Sequence, residues 1–114
     1  PYGASKAALD RYTEALAHEV AGEGVFINTL APESIVFTNV DKHVRAIGLN
    51  NPKMVEPVEM MAEAALALCS QQLTGQVFFS RRLLHMLGLP LKSLDGKTII
   101  GDAFTEADLE SEGC

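Results

Sequence analysis

The chain opens with a tyrosine and a lysine whose spacing lets both side chains face the same site. Tyr2 and Lys6 belong to the run Tyr-Gly-Ala-Ser-Lys, and positions i and i+4 of a helix share one face. A free tyrosine has a pKa of about 10, and a nearby ammonium group stabilises the phenolate form. Such a tyrosine can donate a proton to a substrate oxygen or remove one. The pair predicts a general acid/base site, although Tyr-x-x-x-Lys alone more often marks an ordinary helix surface.

A helix, a tight turn and a strand are predicted to position this pair. Apolar residues recur at helical spacing from 2 to 21, and the pattern stops at Gly22 and Gly24, which suit a left-handed cap. Residues 25–31 are mostly apolar and end at Pro32, as expected of a strand buried in a parallel sheet. Helix, turn and strand in this order form the second half of a βαβ unit. The predicted apolar face of the helix comprises Leu9, Tyr12, Thr13, Leu16 and Val20.

A long connection and a second helix–strand pair follow. Residues 33–55 are polar, with a short helix predicted over 39–47, and a connection of this length is usually a functional loop or lid. A second helix is predicted over 57–70, and the Thr74-Gly75 turn leads into a strand over 76–80. The predicted buried stripe of this helix comprises Val58, Met61, Ala62, Ala65 and Leu68 with Cys69.

The last part of the ordered chain carries weaker signals. Residues 83–87 suit one more helical turn, and Asp95-Gly96 is a hairpin-turn signal. Two helices with two buried-looking strands are only a fraction of an α/β fold, because such strands alone would leave open sheet edges. We therefore expect the chain, which opens at Pro1 rather than Met, to be part of a longer protein.

Charge and composition narrow the classes of function. Of the 114 residues 47% are apolar, and five of the fifteen acids lie in 101–114, so the formal charge of -6 comes mainly from an acidic, mobile tail. Residues 1–100 are close to neutral and lack a basic stripe, which argues against nucleic acid as a partner. The longest wholly apolar run, 64–69, is too short to span a bilayer.

The cysteines and histidines indicate neither disulfides nor a metal site. Cys69 falls in the apolar helical pattern and is expected to be a small core residue, so a reducing cytoplasm is the predicted location. The histidines do not have metal-ligand spacing with each other or with the cysteines; they are His18, His43 and His85.

The wider sequence resembles the C-terminal part of the short-chain dehydrogenase/reductase family. The resemblance is carried by the Tyr-Gly-Ala-Ser-Lys-Ala-Ala-Leu-Asp run of 2–10 and by Val-Phe-Ile-Asn-Thr-Leu-Ala-Pro at 25–32. It continues through 56–65 and through Leu-Thr-Gly-Gln-Val at 73–77, and so covers roughly residues 1–80. It implies an α/β fold in which residues 1–100 form the C-terminal portion of a Rossmann-like, doubly wound parallel sheet.

The resemblance also implies a set of site residues and a cofactor, NAD or NADP. Tyr2 would be the general acid/base, while Lys6 would stabilise its phenolate and hydrogen-bond the nicotinamide ribose. Pro32 would lie beside the nicotinamide ring, and Val36 and Thr38 would contact the carboxamide and the phosphate end of the cofactor. The stretch after Pro32 departs from the family's Gly-x-Val-x-Thr pattern, because it has no Gly and one more residue before the Thr.

The predicted function is hydride transfer between nicotinamide and a small-molecule carbonyl or alcohol. The family's Gly-rich phosphate loop is not found in the sequence, and its catalytic Ser and Asn would lie upstream, so the chain alone is expected to be inactive. The complete enzyme would be a homodimer or homotetramer. A naturally truncated, non-catalytic interaction or subunit module is the alternative from another class, and an epimerase or dehydratase using the same pair is the alternative among enzymes.

Overall fold

The computed structural model of the chain describes residues 1–51 and 54–101, which contain four helices and six short strands. In chain order the elements are α1 (Tyr2–Glu19), β1 (Thr29–Ala31), β2 (Ile35–Val36), α2 (Lys42–Asn50), β3 (Val55–Glu56), α3 (Val58–Ser70), β4 (Val77–Phe79), α4 (Ser80–Leu87), β5 (Leu91–Lys92) and β6 (Ile99–Gly101). The predicted acidic tail lies outside the described residues except for Gly101.

The strands of the described residues form three two-stranded sheets. β1 and β4 are parallel, with Ala31 opposite Phe79, and β2 and β3 are parallel, with Val36 opposite Glu56. β5 and β6 form an antiparallel hairpin. The mixed α/β class with parallel strand pairing is therefore confirmed. The described residues form two-stranded sheets and not the full doubly wound sheet that the resemblance implies.

Helix α1 is close to its predicted length, but its predicted apolar face is only partly buried, with Thr13, Leu16 and Val20 half-buried. Leu9 and Tyr12 are 53% and 64% exposed, and Ala17 is the buried residue of the helix. A contact between small side chains joins the helix to the sheet: the Thr29 hydroxyl donates to the Thr13 hydroxyl at 3.0 Å. The predicted glycine stop is confirmed in Gly22 and Gly24, whose φ angles of 83° and 76° favour glycine.

The strand predicted over 25–31 forms only in its last three residues. Ile27 and Asn28 bond to the 73–76 turn and not to a strand ladder: the Gly75 amide donates to the Ile27 carbonyl at 2.7 Å, and the Asn28 side-chain amide donates to the Leu73 carbonyl at 2.7 Å. The predicted Thr74-Gly75 turn is confirmed, with Gly75 at φ 75°. Turn contacts therefore replace the first half of the predicted strand.

The connection over 33–55 contains more structure than the single helix predicted. Helix α2 begins three residues later than predicted, since Asp41 caps it by accepting a hydrogen bond from the His43 amide at 2.8 Å. Strands β2 and β3 flank the helix. Gly48 is buried within α2, and a Cβ there would lie 2.7 Å from the Phe37 ring, so only glycine allows this approach.

The hydrophobic core lies between α3, β4, α4 and β5. Its buried residues are Met60, Ala64, Phe78, Leu83, Leu84 and Leu91. Most of the stripe predicted for α3 was wrong, because Met60, Ala64 and Ala67 are the buried residues of the helix while Cys69 is exposed. The predicted Leu68 is partly buried and packs against the core. The sequence of α3 is apolar on nearly every side, and the packing of α4 against it decides which side is buried. α4 spans two turns instead of the one predicted and ends at Gly88, with φ 65°.

The predicted hairpin at Asp95-Gly96 is confirmed, with Gly96 at φ 72°. One carboxylate oxygen of Asp95 accepts hydrogen bonds from the Ser93 hydroxyl at 2.6 Å and from the Lys97 amide at 3.0 Å. These two bonds, the Ser93 bond foremost, lower the pKa of the Asp95 carboxyl below its ordinary value.

Candidate active site

The first turn of α1 brings Tyr2 and Lys6 together as their spacing predicts. The Lys6 ammonium nitrogen lies 5.4 Å from the centre of the Tyr2 ring, within the range of a cation–π contact. Tyr2 is 76% exposed, so its hydroxyl is open to an approaching molecule. Ser5, between them, donates from its hydroxyl to the Tyr2 carbonyl at 2.7 Å and so supports the helix turn. The first turn therefore presents an accessible phenol beside a cation.

The direction of α1 follows from its contacts with the sheet. Ala17, near the C-terminal end of α1, lies close to Gly75, which precedes β4: a Cβ added to Gly75 would be 3.4 Å from the Ala17 Cβ. One turn earlier, Thr13 bonds to Thr29, which lies opposite Val77 in the ladder. Moving towards the N-terminus of α1 is therefore moving towards the carboxyl ends of β1 and β4. Tyr2 and Lys6 are directed towards the edge where these parallel strands end.

The other predicted site residues lie at that carboxyl edge. Pro32 directly follows β1 and is exposed, Val36 is half-buried in β2, and Thr38 is exposed just beyond it. The Thr38 amide donates to the Val36 carbonyl at 3.0 Å, and the Arg45 guanidinium donates to the Thr38 carbonyl at 3.1 Å. These bonds fix the backbone and leave the Thr38 hydroxyl accessible.

These groups suit the nicotinamide half of a dinucleotide cofactor. Two hydroxyls and an ammonium, those of Tyr2, Thr38 and Lys6, are exposed groups that can bond ribose hydroxyls or a carboxamide. Exposed Pro32 offers an apolar surface at the end of β1. The pyrophosphate of such a cofactor is commonly bound where a glycine-rich turn opens a helix. Among the described residues, the glycines at positive φ lie after α1, before β4, after α4 and in the hairpin, and none of them opens a helix.

An ion pair that the sequence interpretation missed lies at the same edge. Arg82, in the first turn of α4, donates from Nε to the Glu33 carboxylate, which directly follows Pro32. The Glu33 side chain is only 12% exposed, whereas that of Arg82 is 60% exposed. The signal in the sequence was a pair of opposite charges, each within three residues of the end of a predicted buried strand.

A second missed contact joins the other end of the connection to α4. The Ser80 hydroxyl donates to a carboxylate oxygen of Glu56 at 2.7 Å, and both residues are buried. A carboxylate acceptor makes this bond stronger than one between neutral groups. The sequence did not indicate this buried contact, since a Glu that precedes a helix is normally exposed to solvent.

The described part of the chain contains neither a membrane-spanning helix nor a cluster of metal-ligating side chains. Within residues 1–51 and 54–101, no helix is both long and apolar enough to cross a membrane. In the same residues, no group of three or more histidine, cysteine, aspartate or glutamate side chains could hold a metal ion.

Comparison with known proteins supports the family resemblance over the N-terminal part of the chain. Residues 1–47 match the family described as short chain dehydrogenase. The match includes α1, β1, β2 and most of α2, and therefore all of the predicted site residues. No curated protein and no solved structure matched the chain significantly. The match covers 47 of the 114 residues, and over this segment the chain is similar to the short-chain dehydrogenases.

Proposed function

We propose that this chain is the C-terminal part of an NAD(P)-dependent oxidoreductase. It would interconvert a small-molecule carbonyl and an alcohol. The observation that carries the proposal is the Tyr2–Lys6 pair, exposed on the first turn of α1 and directed towards the carboxyl edge of the parallel strands. This edge is where open α/β sheets bind their ligands. The family match over 1–47 includes the same residues.

The residues of this chain would bind and orient the cofactor and transfer a proton to or from the substrate. Tyr2 would donate its hydroxyl proton to the carbonyl oxygen as that atom becomes an alkoxide, or accept the proton in the reverse direction. Lys6 would favour the phenolate by its charge and bond the ribose. Thr38 and Val36 would contact the carboxamide and phosphate side, with Pro32 against the ring. A bound nicotinamide would supply or accept the hydride.

Several features of the complete protein belong to the same proposal. A Rossmann-like, doubly wound sheet would continue the β1–β4 pair, and an upstream segment would contribute the phosphate loop and the catalytic Ser and Asn. The complete enzyme would be a cytoplasmic homodimer or homotetramer that acts on a small molecule. Support comes from the parallel pairing and from the family match.

Tyr2→Phe in the natural protein that contains this chain tests the proposal. The substitution removes the hydroxyl and keeps the ring, so kcat with a reactive ketone should fall by about 10²- to 10⁴-fold. Binding of NADH or NADPH, measured by fluorescence titration, should change little, because Lys6 and the other contacts remain. Tyr12→Phe is the matched control, since Tyr12 is an exposed tyrosine of the same helix.

Undiminished turnover in Tyr2→Phe would contradict the role of Tyr2. Equal losses in the two variants would contradict it as well, because they would show damage to α1 and not loss of a proton donor. If the natural protein bound neither NADH nor NADPH, the oxidoreductase proposal would fail and the non-catalytic module would replace it.

A further inference from the structure

The connection that carries Val36 and Thr38 begins and ends beside a single helical turn. It starts at Glu33, directly after β1 and Pro32, and ends at Glu56 in β3. Helix α4 starts at Ser80, directly after β4. Because β1 and β4 are parallel neighbours, the residues that follow them meet at the same edge of the sheet.

The start of the connection is held by the Glu33–Arg82 ion pair. The nearly buried Glu33 carboxylate faces a guanidinium, and limited access to water weakens the screening that makes most surface pairs ineffective. Proline fixes one backbone dihedral angle at position 32. Anchoring the next side chain therefore restricts the direction in which the chain leaves β1.

The end of the connection is held by the Ser80–Glu56 hydrogen bond, which is buried at both partners. Glu56 lies opposite Val36 in the β2–β3 ladder. A displacement of Glu56 would therefore be transmitted to Val36, one of the candidate cofactor contacts. The two bonds come from the same turn of α4, two residues apart.

We propose that the first turn of α4 acts as a clasp that holds both ends of the 33–56 connection and positions the segment 32–38. The clasp consists of Ser80 and Arg82 on α4, with Glu56 and Glu33 as their partners. Arg82 is a positioning residue, since it acts on the segment through Glu33. What the segment binds rests on the proposed function above, whereas the clasp itself rests on the two contacts.

The clasp explains why a long connection keeps a defined path. The Arg45 guanidinium lies 4.9 Å from the centre of the Phe37 ring, and Gly48 lets that ring approach α2. These contacts fold the connection onto itself, but they do not attach it to the rest of the protein. Attachment at both ends limits local opening, which is the motion that loops with few anchors undergo most readily.

Amide hydrogen exchange by mass spectrometry tests the clasp in the natural protein without depending on activity. In Arg82→Gln, amides of 34–51 should exchange about two- to fivefold faster, while those of α1 should not change. Ser80→Ala should give about a tenfold increase in the same segment, because it removes a buried partner of a carboxylate. Arg11→Gln is the matched control, since Arg11 pairs with Glu14 at 3.1 Å on the exposed face of α1.

A double-mutant cycle identifies the pair. Glu33→Gln combined with Arg82→Gln should accelerate exchange no more than either change alone, because both remove one interaction. Additive increases would overturn the pairing. Unchanged exchange in both Arg82→Gln and Ser80→Ala would overturn the clasp.

The KM for NADH or NADPH tests whether the clasp positions the cofactor contacts, separately from whether the clasp exists. In Arg82→Gln the KM for NADH or NADPH should rise by about two- to fivefold, with kcat changing by less than about twofold. Faster exchange with an unchanged KM would overturn the positioning role. If the unmodified protein bound no dinucleotide, the proposed function and the positioning of cofactor would fail together, and the exchange data would still decide whether the clasp exists.

Discussion

The helix with the candidate chemistry and the region with the hydrophobic core are different parts of this molecule. α1 has one buried residue, Ala17, along 18 residues, and its side chains of Tyr2, Leu9 and Tyr12 are exposed. α4 has four buried residues among eight, and the helix packs against α3 and β4. The family match follows the first region and ends at residue 47, before the core elements begin.

Because the two regions differ in burial, we expect that residues of the candidate site and residues of the core can be substituted independently. The spacing of Tyr2 and Lys6 is set by one helix turn, whose described side-chain contacts are the Ser5–Tyr2 hydrogen bond and the Lys6–Tyr2 cation–π contact. The core fixes β4 and α4, and α4 in turn reaches the 33–56 connection through Ser80 and Arg82. The core therefore influences the candidate site through the clasp more than through α1.

A matched pair of leucine substitutions would test the comparison most strongly. Leu84→Ala should lower the free energy of unfolding by about 2–5 kcal/mol, because Leu84 is only 1% exposed and its removal leaves a cavity. Leu9→Ala on α1 should change it by less than about 0.5 kcal/mol. Both changes replace leucine by alanine in a helix, so helix propensity cancels, and chemical denaturation measures both values.

A loss of about 2 kcal/mol or more in Leu9→Ala would contradict the difference between the two regions, because it would mean that this face of α1 is buried. Equal small losses at both positions would instead show that the α3–α4 packing contributes little.

Gly48→Val should have the next largest effect and would show whether the connection folds with the core. Its Cβ would lie 2.7 Å from the Phe37 ring and 3.0 Å from the Val55 side chain. Overpacking of this kind typically costs about 1–3 kcal/mol. Leu49→Val, at an exposed position of the same helix, is the control and should cost less than about 0.5 kcal/mol.

Thermal unfolding followed by circular dichroism measures both variants. A single transition that shifts down in Gly48→Val would show that the connection unfolds together with the core. An unshifted transition would contradict the tight packing of Phe37 against α2.

The sequence predicted the elements better than the faces they bury. The four helices, the strands β1 and β4, the C-terminal hairpin and the turns at Gly22, Gly75 and Gly96 were predicted, because glycine at positive φ and helical periodicity are local signals. The two-residue strands β2 and β3 were not predicted. The buried side of α3 was not predictable, since Met60 and Met61 are equally apolar. The tertiary packing of α3 against α4, β5 and β1 decides between them.

The candidate site divides in the same way. Tyr2 and Lys6 are four residues apart, so helix geometry alone brings them together. Glu33 and Arg82 are 49 residues apart, and their contact depends on the parallel pairing of β1 with β4. Charge and position were visible in the sequence, but strand order was not.

The smallest predicted effect concerns the β5–β6 hairpin, where exposed Leu94 and Ile99 show that the C-terminal region is not uniformly buried. The Ser93 and Lys97 hydrogen bonds lower the pKa of the Asp95 carboxyl, so they stabilise the turn above the ordinary aspartate pKa and lose that effect as pH falls through the lowered value. Ser93→Ala removes the larger cause, and the titration midpoint of Asp95, followed by NMR, should move upward. An unchanged midpoint would show that the hydroxyl does not hold the carboxylate. The turn would then depend on the Lys97 amide, as it would in any hairpin of this type.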